Sequence, residues 1–249
     1  MEKRINDVNF QTYENGREWD ADNRLHGGVS NFSDSFKRDT QYWNGYYAEN
    51  GAPKEQSLFA DWVAEEFIDP KEKKLLELGC GNGRDSTYFF RRGLNVTAID
   101  ASDISVKKLQ GEFEGKNITF LCEDFVSSTE KYCNEFDYIY SRFSLHAINE
   151  KQQNNLIGNI YNALKEGGYF FIEVRSVNDE LYGKGEKVGD DEYIYEGHYR
   201  RFVRKENLEN LLKNAGLKLA YSCEKRGFAP YGESDPPIIR IVAEKKTVD

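Results

Sequence analysis

The chain has 249 residues, a formal net charge of −9 and 39% hydrophobic residues, with 16 Phe and 16 Tyr. That is enough apolar material for one large or two small domains, and the acidic balance excludes a general nucleic-acid binder, which carries a basic face. The four cysteines (Cys80, Cys122, Cys133, Cys223) form no C-x-x-C pair and no zinc spacing, no apolar run reaches membrane-spanning length, and no signal-peptide core follows the charges of residues 1–6, so a cytoplasmic protein without metal or membrane insertion is expected.

Residues 1–40 are polar and aperiodic and read as an N-terminal arm; residues 41–249 read as one domain. Residues 41–51 are dense in aromatics, among them Tyr42, Tyr46 and Tyr47. They suit either a staple into the next helix or an aromatic lid over a cationic ligand. Leu58, Phe59, Trp62, Val63 and Phe67 repeat at helical spacing, predicting a helix over 55–68 closed by Pro70.

Leu75, Leu76 and Leu78 then form a short buried strand, followed by glycines at every second position: Gly79, Gly81 and Gly83. Glycine lets a loop turn tightly and lets a ligand approach the backbone. The helix that follows, about 85–92, starts at N–H groups that favour an anion. A dinucleotide fingerprint needs glycine where Arg84 stands, and the Gly-Lys-Ser/Thr of a phosphate-binding loop is absent.

A second strand, 94–100, ends in Asp100, 17 residues after Gly83. An acid there can take both ribose hydroxyls of an adenosine ligand. A helix over 102–112 leads to a third strand, 118–122, and then to Asp124 and Phe125, which suit an adenine amino group and ring face. The fourth strand, 136–140, runs into Ser141–His146. A helix over 150–165 and a Gly167-Gly168 turn precede a fifth strand, 169–174, which ends at Arg175.

Residues 176–203 break this rhythm and read as a substrate cap, supplying Tyr193, Tyr195, His198, Tyr199, Arg200 and Arg201. A helix over 205–214 and strands over 217–224 and 238–244 complete the chain, the last two as an antiparallel hairpin at the sheet edge. The expected fold is α/β and Rossmann-like, with seven mostly parallel strands, helices on both faces and an antiparallel last strand.

The E-x-G-x-G-x-G loop, Asp100, Asp124-Phe125, the fourth-strand end and Leu164–Gly168 together resemble a class I S-adenosylmethionine-dependent methyltransferase of the small-molecule branch. The resemblance implies S-adenosylmethionine as cofactor. It implies Glu77, Gly79, Cys80, Gly81, Asn82, Gly83, Arg84, Asp100, Ala101, Asp124, Phe125 and Ser141 as the residues around it. Tyr140-Ser141-Arg142 with Leu145-His146 is similar to a segment of phosphoethanolamine N-methyltransferases, in which a histidine pairs with a tyrosine over the amine. That likeness makes His146, with Tyr46 or Tyr47, the catalytic candidates.

Histidine suits the chemistry, because its ordinary pKa lets it accept an amine proton near neutral pH. Arg175 is the leading candidate for an anion contact, joined by Tyr42, Tyr195, His198, Tyr199 and Arg201 on the substrate. The expected reaction is N-methylation of a small phosphorylated amine such as ethanolamine phosphate. O-methylation of a sugar or another small metabolite is the alternative, and a cofactor-binding module without catalysis is the reading from another class.

Overall fold

The computed structural model describes residues 40, 42–46, 53–69 and 71–247. The arm over 1–39, Tyr47 and Pro70 lie outside the described residues. Helix α1 spans Leu58–Glu66, with Ser57 as its N-cap accepting the Ala60 N–H. The alternation then runs β1 (Lys74–Leu78), α2 (Arg84–Arg91), β2 (Asn95–Asp100), α3 (Asp103–Glu112), β3 (Ile118–Cys122), a short α4 (Phe125–Ser128), β4 (Phe136–Arg142), α5 (Glu150–Ala163) and β5 (Leu164–Arg175). After β5 come three short strands, β6 (Glu186–Gly189), β7 (Glu192–Tyr195) and β8 (His198–Arg201). Helix α6 (Lys205–Asn214), β9 (Leu217–Lys225) and β10 (Ile238–Lys245) end the chain.

The main sheet has seven strands in the order β3-β2-β1-β4-β5-β10-β9. β1 to β5 pair in parallel, and β10 runs antiparallel to both β5 and β9. The last two strands form the expected hairpin, but β10 inserts between β5 and β9 and leaves β9 at the edge.

Strand periodicity distributes the core. Leu76 and Leu78 of β1 pack on the face covered by α5 and α6, with Leu156, Ile160, Leu208 and Leu212. Leu75, one residue out of phase, packs with Phe59, Val63, Phe89, Val106 and Leu109 of α1, α2 and α3. Because both faces are covered, the inner strands are apolar runs rather than alternating ones, as parallel sheets require.

One boundary differs from expectation. β5 begins at Leu164 and absorbs Gly167-Gly168 within the strand, where its pairing with β4 shifts register. A side chain at Gly168 would lie 2.8 Å from the Lys165 carbonyl oxygen and 2.9 Å from that of Asp137, so glycine is what lets the strand bend there. Residues 176–203 carry the separate three-stranded antiparallel sheet β6-β7-β8, tied back to the main sheet by a bridge between Ser176 and Val203.

Candidate active site

The carboxyl ends of the parallel strands open on a cleft of about 340 Å³, the place where this architecture binds ligands. Its inner wall is the glycine loop. Gly79, Gly81 and Gly83 all have left-handed φ values, of 75°, 56° and 74°. The loop is sewn to β2: the N–H groups of Gly79 and Cys80 donate to the Ile99 carbonyl at 2.8 and 3.0 Å. Two of the glycines also have protein neighbours that leave no room for a side chain. A Cβ on Gly79 would meet that of Ser144 at 2.9 Å, and one on Gly83 would meet Leu109 at 2.7 Å. Gly83 itself lies off the cleft wall and caps α2.

Asp100 is buried at the end of β2, accepting the Gly81 N–H at 2.7 Å on one oxygen and the Ser102 N–H at 2.8 Å on the other. Each oxygen keeps a lone pair for a ribose hydroxyl. Glu77 faces the same cleft and takes the hydroxyl of Ser86. Burial, reinforced by the carboxylates of Asp85 and Asp100, pushes its pKa well above the ordinary range and favours the neutral acid. Burial likewise pushes up the Cys80 thiol and keeps it inert.

Asn82 donates to the Pro53 carbonyl at 2.8 Å, tying the loop to the segment before α1. Arg84, Ala101 and Phe125 complete this half of the wall.

Asp124 caps α4, its carboxylate accepting the Val126 N–H at 2.9 Å and the Ser127 hydroxyl at 3.1 Å, and its neighbour Phe125 is the one of the pair on the wall. Ser141 is fully buried behind the wall, paired with the Ser144 hydroxyl at 2.6 Å, and Ser144 lines the cleft.

The opposite half comes from four elements. Residues 42–46 form a helical turn whose Tyr42, Trp43 and Tyr46 line the cleft. Asn44 docks that turn on the start of α3, donating to Asp103 at 2.7 Å and accepting from the Ser102 hydroxyl at 2.6 Å. β4 supplies Arg142 and the turn after it supplies Phe143, Ser144, His146 and Ala147. Arg142 is held by the Glu173 carboxylate at 2.8 Å, which also binds Arg240 at 2.7 Å. Phe143 sits at φ 54°, with the guanidiniums of Arg142 and Arg175 at 4.4 and 5.5 Å from its ring centre.

β5 ends at Arg175, paired with Asp179 at 2.5 Å. β8 adds His198 and Arg200. The turn Glu196-Gly197 has φ values of 52° and 71°, the left-handed pair of a tight hairpin. It sets the β7–β8 register, and the pleat then sends alternate side chains of β8 to opposite faces.

His198 and Arg200 therefore face the cleft, while Tyr199 and Arg201 turn away, so Tyr199 and Arg201 are corrected as substrate contacts. Arg201 instead braces the turn that carries His146. It donates to the carbonyls of Ile148 at 2.8 Å and Leu145 at 3.3 Å, and it also binds Gln153. Tyr195, paired opposite His198 on β7, shares the face of the small sheet that His198 presents but is not among the side chains on the cleft wall.

Sequence reasoning also passed over Asp85. It is buried and accepts the Ser57 N–H at 2.7 Å, the Ser57 hydroxyl at 2.8 Å and the Tyr140 hydroxyl at 2.9 Å, while forming part of the wall. Its place in the first helical turn after the glycines was a legible signal.

The two histidines are buried, at 4% exposure for His146 and 8% for His198. Among the described residues Nδ1 of each has no hydrogen-bond partner, and nor has Nη1 of Arg200. Burial pushes the pKa of His146 well below its ordinary value, and the positive charges of Arg175 and Arg200 add to this. Burial and the same two arginines push His198 down to about 3. Both rings are neutral at neutral pH.

The cleft thus has an acidic half around the glycine loop and a cationic half around Arg175 and Arg200. A methyltransferase domain family model matches residues 52–222. The chain belongs to this methyltransferase family. It is similar to a phosphoethanolamine N-methyltransferase of Triticum aestivum, with 38% identity over 104 residues, 40% of this chain and 21% of that protein. It is also similar to a ubiquinone biosynthesis O-methyltransferase of Saccharophagus degradans, with 28% identity over 63% of this chain and 70% of that one.

The fold matches a Burkholderia thailandensis 1,6-didemethyltoxoflavin-N1-methyltransferase solved with S-adenosylhomocysteine: the TM-score is 0.67 at 17% identity, covering 88% of this chain and 92% of that one. The chain spans only about a fifth of the wheat enzyme.

The methyltransferase is S-adenosylmethionine-dependent, and the acidic half fits that cofactor: Asp100 keeps free lone pairs for a ribose, and Phe125 offers a ring face. Among the described residues no group of three or more His, Cys, Asp or Glu side chains could hold a metal ion. No helix among them is long and apolar enough to cross a membrane.

Proposed function

We propose that this methyltransferase transfers a methyl group to the nitrogen of a small phosphorylated amine, with ethanolamine phosphate as the model acceptor. One observation carries the reading: Arg175 and Arg200 converge on the cleft end where His146 lies buried and neutral. Guanidiniums favour phosphate oxygens through charge-assisted, forked hydrogen bonds. A cleft of about 340 Å³ shared with the cofactor leaves room for only a small acceptor.

S-adenosylmethionine supplies an electrophilic methyl on a sulfonium, and the transfer itself needs no acid catalyst. The chain's own work is alignment, which is worth roughly 7–11 kcal/mol when the reacting atoms are held in line. Asp100 and the loop amides hold the cofactor side. Arg175 and Arg200 hold the acceptor's phosphate. Their charge also disfavours an ammonium beside them, so the amine is held as the neutral nucleophile. Neutral His146 then accepts the proton that the methylated nitrogen releases. A bound phosphate offsets the arginine charges and makes the imidazole a better base.

O-methylation is the second reading, favoured by the broader coverage of the O-methyltransferase relatives. A methyl-labelled cofactor incubated with ethanolamine phosphate, ethanolamine, a sugar phosphate and a catechol separates the two. The proposal expects label on ethanolamine phosphate and at least tenfold less on ethanolamine. Label on hydroxyl acceptors alone overturns it.

A further inference from the structure

Helix α3 begins at a point that three parts of the cleft share. Ser102, its N-cap, is fully buried and divides its polar atoms among them. Its N–H donates to Asp100 at 2.8 Å. Its hydroxyl oxygen accepts the Ser105 N–H at 3.3 Å, and its hydroxyl hydrogen goes to Oδ1 of Asn44 at 2.6 Å. Ser105 donates its own hydroxyl to the Gly81 carbonyl. Nδ2 of Asn44 donates to the Asp103 carboxylate at 2.7 Å. Lys107 and then Asn44 hold that carboxyl below its usual range, so the acceptor is charged. The two bonds use both ends of the Asn44 amide, one as acceptor and one as donor, and the reversed amide fits neither partner.

Asn44 is the middle of a helical turn whose rings run along the cleft. Tyr42, Trp43 and Tyr46 all line it. The rings of Tyr42 and Trp43 meet that of His198 on β8 at 4.2 and 5.2 Å, and Trp43 meets Tyr46 edge-on at 5.7 Å. The turn therefore bridges the cleft, bonded to the acidic half through Asn44 and resting on the cationic half through its rings. Ring packing is not directional and leaves such a turn free to slide. The two hydrogen bonds are directional and refer it to Ser102, the residue that also holds Asp100. We infer that Asn44 is a positioning residue for the methyl transfer, fixing the aromatic turn 42–46 at a set distance from Asp100 so that the cofactor meets a wall already in place.

The inference rests on the cofactor and the fold, and it stands whatever the acceptor is. A single helical turn does not hold its shape alone in water. With the turn undocked, three aromatic rings leave the wall. A ligand that uses that wall then binds only the fraction of molecules in which the turn is in place, and its apparent affinity falls by that fraction. Asn44 keeps the fraction high before any ligand arrives.

The test exchanges donor and acceptor. Asn44→Asp removes the N–H and sets a second carboxylate against that of Asp103, which repels it. The double variant Asn44→Asp with Asp103→Asn faces one donor to one acceptor again, and the new carboxylate still accepts from Ser102. Two quantities are read in each: the Kd of S-adenosylhomocysteine by calorimetry, and the emission of Trp43, one of three tryptophans, taken as the difference from Trp43→Phe. We expect Asn44→Asp to weaken S-adenosylhomocysteine about tenfold, the scale of a lost hydrogen bond to a charged group, and to shift the Trp43 emission to the red. The double variant should return both to near the wild-type values, which a general folding defect would not allow. Wild-type affinity in Asn44→Asp overturns the inference, whether or not the emission moves. A weakened affinity that the double variant fails to restore overturns it too, because the effect then does not pass through this pair.

Discussion

Asp100 accepts the backbone N–H of Gly81 at 2.7 Å, so the carboxylate expected to hold the cofactor also shapes the loop that cradles it. Asp100→Asn keeps the size but puts an amide where two N–H donors, from Gly81 and Ser102, already point. One of them must lose its acceptor, at a cost of about 1–3 kcal/mol. We expect a lower unfolding midpoint and at least tenfold weaker cofactor binding by calorimetry. Normal binding with normal stability would remove Asp100 from the site.

A side chain at Gly79 would meet Ser144. Gly79→Ala combines a left-handed φ of 75° with a Cβ at 2.9 Å from that of Ser144. The conformation alone costs about 1–2 kcal/mol. The double variant with Ser144→Gly should recover the steric part and not the conformational part. Denaturant unfolding of the single and double variants measures the split.

Arg200 and Arg201 should separate cleanly. Arg200→Met should leave stability within about 1 kcal/mol, because Nη1 has no partner to strand, and should raise the acceptor KM. Arg201→Met orphans the carbonyls of Leu145 and Ile148 and the Gln153 side chain. It should cost about 2–4 kcal/mol, with kcat falling as the His146 turn loosens. The reverse pattern would place Arg201, not Arg200, on the substrate.

Acid should weaken the fold through the histidines. His198 is pushed down to about 3, and His146 is also lowered. Below about pH 6.5 the unfolded chain binds protons that the folded chain refuses, so stability is full above that pH and falls as the pH drops toward 3. His198 contributes a loss on the order of 1.4 kcal/mol per pH unit in this range, and His146 acts in the same direction. His198→Phe should flatten the slope of urea stability between pH 6.5 and 4.5. An unaltered slope would mean that the ring is not buried as a neutral base.

Much of this site was legible in the sequence because it depends on local rules. Leu75, Leu76 and Leu78 announce a buried strand, and the glycines after them a turn at its carboxyl end. Asp100 follows from the spacing of the next strand. What was not legible depends on choices the same residues can make either way. Asp124 suits an adenine and a helix cap by type, and its role as the α4 cap shows only once the start of that helix is known. Arg200 and Arg201 are chemically identical, and a one-residue difference in register exchanges their faces. The Glu196-Gly197 turn sets that register. Asp85 was missed because its partners, Ser57 and Tyr140, lie 28 and 55 residues away.

The central claim is that one cleft brings the cofactor together with a small phosphorylated amine. A crystal structure with S-adenosylhomocysteine and ethanolamine phosphate tests it most directly. The account predicts the amine nitrogen within hydrogen-bond reach of His146, facing the cofactor sulfur, and the phosphate on Arg175 and Arg200. A phosphate bound away from both arginines, or a nitrogen turned away from the sulfur, would contradict it.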